Sequence, residues 1–192
     1  MSPALVARLV FWLWFGAAFF VGRQLLLQRL PPPAVPTILA SLTVLLLYTY
    51  FRFTAVRRWV DGLPLRSLVL LHVTRFVGIY FLILYRRGEL PYEFAVPGGI
   101  GDIIVASLAL PLVFLPFDES THLRYLRIWN VIGLIDIALV VMTAIRLNLA
   151  TPWQMHALTH LPLSLLPTFL VPLIIATHIV IFVRLARATT VT

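Results

Sequence analysis

Six stretches of about 20 predominantly apolar residues, the length that carries an α-helix across the hydrocarbon core of a bilayer, fill most of this chain. Segmented at charges, prolines and glycines, they run over residues 4–27, 35–56, 65–85, 99–117, 125–147 and 161–185. The chain is 61% hydrophobic and 11% charged, with a mean hydropathy of +0.99; an ordinary soluble domain is about half apolar and about a quarter charged. The expectation is therefore all-α: a polytopic membrane helix bundle of six transmembrane helices. It forms a single transmembrane domain over residues 1–192. The connections between the stretches are too short for a soluble domain, so the first partner is the lipid bilayer.

The 15 basic residues are all arginine, the net charge is +8 and the isoelectric point is about 11.0. A nucleic-acid partner is excluded, because the arginines flank apolar stretches instead of gathering on one face or in one run. With six spans both termini share a side. Arg8, Arg52, Arg57, Arg58, Arg66, Arg124, Arg127, Arg184 and Arg187 fall on that side, and Arg23, Arg29, Arg86, Arg87 and Arg146 on the other. The excess puts both termini in the cytoplasm, in what reads as the inner, cytoplasmic membrane of a bacterium. Trp59 and Trp129 then fall at the cytoplasmic interface and Trp153 at the outer one. The apolar run after Arg8 has no small-residue cleavage site near bulky Phe19-Phe20, so it is expected to be retained. Cysteine is absent, which removes disulfides and thiol chemistry.

Ionisable groups inside spans are costly unless paired or hydrated, which makes each a candidate site. At about 1.5 Å of rise per residue, Arg75 and Asp136 lie roughly 15 and 16 Å from the cytoplasmic ends of their spans. They are the expected pair, a buried ion pair near mid-membrane. On the same scale His72, Asn130 and His178 lie about 7 to 10 Å in, one layer nearer the cytoplasm. His72, Arg75 and Gly78 follow at intervals of three, as do Asn130, Gly133 and Asp136, so each set shares a helix face. Asp102 is expected nearer the outer face, beside Tyr80, in the first turn of a span that starts after the Pro97-Gly98-Gly99 loop. These six residues, His72, Arg75, Asp102, Asn130, Asp136 and His178, are the expected intramembrane polar cluster.

His72 and His178 also have the spacing in depth of an axial pair for a b-type haem, the one cofactor the residues suggest. No metal site is expected. His156 and His160 stand four apart but lack a third ligand, and they read as an interfacial turn. Pro162, Pro167 and Pro172 should kink or partly unwind the outer half of the last span. Ser41, Ser107 and Ser164 assemble no nucleophile set, so catalysis is not expected. Three functional readings remain: transport or proton or ion translocation along the polar cluster; an accessory or structural subunit of a larger membrane complex, or a homo-oligomer; and a bis-histidine haem-b electron carrier.

Overall fold

The computed structural model describes residues 3–189. The structure is all-helical, with helices joined by short connections and no strand among the described residues. Its α-helices are α1 (Pro3–Arg23), α2 (Ala34–Arg52), α3 (Thr54–Asp61), α4 (Leu65–Leu71), α5 (Val77–Arg86), α6 (Tyr92–Phe114), α7 (Glu119–Ala150) and α8 (Val171–Thr189). Six segments are long and apolar enough to cross a membrane: Leu5–Arg23, Ala34–Arg52, Leu65–Arg86, Tyr92–Phe114, Glu119–Ala150 and Leu166–Arg187. By that measure the chain is a membrane protein. Residues 1–2 and 190–192, the ends whose side the arginine distribution addresses, lie outside the described residues.

The described residues divide into two compact units. The first comprises the residues up to Gly62 with Ile145–Ala176; the second comprises Leu63–Ala144 with the residues from Thr177 onward.

In the first unit the proline-rich entry to α8 meets α1. Pro172 has no N–H to offer the carbonyl of Thr168, and a buried orphan acceptor is expensive. The indole of Trp14 fills the place, donating to that carbonyl at 2.9 Å. Phe169, next in line, packs edge-on against Phe11, Trp14 and Phe15 at 4.7 to 5.3 Å. The expected unwinding takes a defined form: a 3-10 segment over Pro152–Thr159, then a single wide π turn over Leu166–Leu170 before α8 begins. His156 and His160 lie in and just after the 3-10 segment, and Gln28 reaches His160 at 2.9 Å. The loop between the second and third spans is not bare: it carries the short amphipathic helix α3, closed by a hydrogen bond from the Tyr50 hydroxyl to Asp61 at 2.8 Å.

In the second unit α5 and α6 form a tight antiparallel hairpin. Gly88 ends α5 in the left-handed region (φ 72°). The N–H of Gly88 bonds the carbonyl of Tyr85 at 2.9 Å and that of Glu89 bonds the carbonyl of Leu84 at 2.9 Å, the paired bonds of a glycine helix stop. Pro91 then precedes α6, and Glu93 lies in its first turn, where a carboxylate complements the helix dipole. Here the expectation is corrected. Residues 97–99 are not the end of a loop: α6 begins at Tyr92 and runs straight through them. Pro97 is tolerated as the residue one turn into a helix whose first carbonyls have solvent or headgroups for partners.

The glycines of that run are packing devices. A Cβ on Gly78 would strike the backbone of Gly99 and the Cβ of Asp102, and a Cβ on Gly99 would meet the carbonyl of Gly78 at 2.8 Å. α5 and α6 therefore touch backbone to backbone, the use small residues have where lipid supplies no driving force between helices. Gly98 and Gly101 turn the other way, toward Val140 and Asp136 of α7.

Candidate functional site

The third span is where local structure departs from a plain α-helix. Between α4 and α5 the chain winds as a 3-10 helix over His72–Phe76. β-branched Val73 and Thr74 sit in it, and the Thr74 hydroxyl takes the carbonyl of Leu71 at 2.7 Å, which favours the tighter winding over a regular α turn. Three residues per turn stack His72 and Arg75 one above the other on a single face. Both are fully buried.

Arg75 uses every edge of its guanidinium. Its Nε donates to Asp102 Oδ1 at 2.6 Å, its Nη1 to the carbonyl of Gly133 at 3.0 Å, and its Nη2 to Asp136 Oδ2. Asp102 comes from α6 and Asp136 from α7, so the cation ties three segments together. The sequence pairs Arg75 with Asp136 and sets Asp102 apart, near the outer face. The position of Asp102 is corrected: it lies inside α6 in the same layer as Arg75. The hairpin register explains it. Tyr85 meets Tyr92, Gly78 meets Gly99, and counting back three on one strand of the hairpin and forward three on the other brings 75 to 102. The two carboxylates differ in surroundings: the Asp102 side chain is 5% exposed and that of Asp136 is 19%.

Beside this triad lies the imidazole layer. Asn130 brackets His178 with two bonds, Nδ2 donating to the His178 carbonyl at 3.1 Å and Oδ1 meeting Nδ1 of the ring at 2.8 Å. Because Nδ2 must face the carbonyl, Oδ1 is the acceptor and the ring proton sits on Nδ1. Nε2 of His178 is then a lone pair, buried and without a hydrogen-bond partner. It lies over Gly133, where a Cβ would come within 2.8 Å of it. His72 packs on His178 with ring centroids 4.1 Å apart; its Nε2 faces the Thr177 hydroxyl at 3.1 Å, and its Nδ1 is also buried and unpartnered.

Gly133 joins the two layers. Its carbonyl receives Arg75 and its bare Cα faces His178. Two participants were missed in the sequence. Thr177 adjoins His178 and Trp129 adjoins Asn130, so each was visible as a neighbour of a candidate. Trp129, expected at the membrane interface, is instead buried, packs edge-on to His72 at 4.9 Å and donates to the carbonyl of Val105 at 3.0 Å. α7 starts at Glu119, six residues before the expected boundary, which carries Trp129 almost three turns into the helix.

Chemically, the cluster offers two carboxylates for one guanidinium and two imidazole nitrogens with nothing to bond. Each nitrogen of Arg75 already has a protein acceptor. Among the described residues no group of three or more His, Asp or Glu side chains is arranged to hold a metal ion. The histidine rings pack against each other, tilted by 50° with centroids 4.1 Å apart, and an iron with its porphyrin plane would need them parted. No curated protein and no solved structure matches the chain. A family model does match, over residues 32–186, a range that takes in every residue of the cluster. The chain belongs to that family, described as a domain of unknown function (DUF8737).

Proposed function

We propose that this protein is a six-span helix bundle of the bacterial cytoplasmic membrane, both termini cytoplasmic, that moves protons or small ions through the polar centre formed by His72, Arg75, Asp102, Asn130, Asp136 and His178. One observation carries the reading: Arg75 is held between two carboxylates from two helices. A purely structural pair needs one carboxylate; a second leaves an excess negative charge in an apolar bundle, which is costly unless something mobile balances it. The unpartnered Nε2 lone pair of His178 beside it supplies a further proton acceptor within the same buried cluster.

The test is flux across vesicles containing the purified chain. Asp136→Asn should abolish flux while the protein still accumulates and unfolds at a temperature close to wild type. A variant that fails to accumulate at all would favour a structural triad. The same preparation tests the other two readings. A co-purifying chain in fixed ratio would favour an accessory subunit, for which the exposed Trp12, Leu13 and Phe20 of α1 offer a partner face. A Soret band would favour haem, with His72 and His178 moved apart around it.

A further inference from the structure

Within the proton or ion reading above, on which this inference rests, we infer that the exchanging group is Asp136 and the exchanged ion is a proton, while Asp102 stays as the fixed counter-ion of Arg75. Their placements differ in kind. Asp102 sits directly beside the backbone contact of Gly78 with Gly99, and its own Cβ is one of the atoms a Cβ on Gly78 would strike. Its side chain is 5% exposed, packed in the α5–α6 contact. Asp136 lies at the middle of α7, above the bare Cα of Gly101, on the border of an outward face carrying Ile132, Ile135 and Leu139. It touches Arg75 on its inner side and retains exposure on the other.

The charge count assigns the ion. With both carboxylates ionised the triad carries one net negative charge; with one proton bound it is neutral. A proton added to the Asp136 carboxylate forms its O–H bond and releases the Arg75 Nη2 contact. Arg75 keeps Asp102 and the Gly133 carbonyl. A neutral carboxyl is far less costly than a carboxylate against hydrocarbon, so the protonated side chain can turn toward the outward face. A hard metal cation would need six or so oxygen ligands, yet the nearby Gly133 carbonyl already serves Arg75. The other titratable or charged groups facing the centre are Arg75 and His72 from the third span, Asp102 from α6 and His178 from α8; α7 itself adds only neutral Asn130.

Dicyclohexylcarbodiimide, an apolar reagent that adds to protonated carboxyls, tests this on the full chain in lipid vesicles. The carboxyl proton moves to a carbodiimide nitrogen, the oxygen bonds the central carbon, and an oxygen-to-nitrogen shift leaves a stable acylurea. Peptide mass mapping should find the adduct on Asp136 in wild type, with labelling that declines as pH rises, and less of it in Asp102→Asn, where Asp136 is left as the sole carboxylate facing Arg75. It should be lost in Asp136→Asn. Asp136→Glu, which keeps the carboxyl, should still label and covers the case where the asparagine variant does not fold. An adduct on Asp102, or none on either residue in folded wild-type protein, overturns the inference. Labelling at Asp136 in vesicles that carry no flux would leave Asp136 as the exchanging group and remove translocation instead.

Discussion

Arg75 is the residue on which the second unit depends, because a fully buried guanidinium must find acceptors for all its donors. Each of its three nitrogens finds one, on two helices besides its own. The contrast at this scale is Asp118, fully exposed in the connection between α6 and α7. Its Oδ2 accepts from the Ser120 hydroxyl at 2.6 Å and from the Thr121 N–H at 2.9 Å, capping the start of α7. Those hydrogen bonds, the Ser120 hydroxyl first, pull its carboxyl down to about 2 from the ordinary 3.8. The sign follows from linkage: a depressed folded value adds stability that is complete above the ordinary carboxylate range and is lost as pH falls through about 2. Asp118→Ala should therefore lower the melting temperature in detergent at pH 7 by a small amount. Melts of the two proteins repeated at descending pH should converge near the bottom of that window.

At the scale of the element, the glycines of α5, α6 and α7 decide how close the helices come. Gly78→Ala places a methyl in the backbone of Gly99, which cannot yield, so overpacking should cost about 1 to 3 kcal/mol. Gly16→Ala in α1 is the control. It meets nothing within 4 Å, and helix propensity alone should make it neutral or more stable by roughly 0.5 to 1 kcal/mol. Denaturation of both variants in the same detergent checks the pair, and equal losses would mean that the α5–α6 contact is looser than the glycines imply. Gly101→Ala is a third kind: its methyl would press on the Asp136 carboxylate, a side chain that can move. It should disturb flux more than stability.

For the whole molecule, the proposed orientation, six spans with cytoplasmic termini, would put the Gly88–Pro91 turn outside and the Asp118–Ser120 connection inside. The chain has no cysteine, so single-cysteine variants carry no background. Glu89→Cys should react with an impermeant maleimide in intact cells, and Ser120→Cys only after permeabilisation. The reverse pattern would invert the proposed orientation, and equal reaction would break the span count.

Much of this was legible in one dimension. Six apolar stretches had to be helices, since no other backbone satisfies its own hydrogen bonds within a segment surrounded by lipid. The polar residues inside them named the cluster, since few such residues occur in spans by accident. Their partners were less legible. Pro97-Gly98-Gly99 carries the same composition whether it ends a loop or lets helices touch, and only the antiparallel register of α5 and α6 decides between them. That register moved Asp102 from an outer position onto Arg75. In the same way the early start of α7 took Trp129 from an interface into the core. The sequence by itself determined which residues must be answered, because desolvation of a charge is a property of the residue and its depth. Tertiary structure alone decided what answers them, because that depends on helix register and on the closeness that Gly78, Gly99, Gly101 and Gly133 permit.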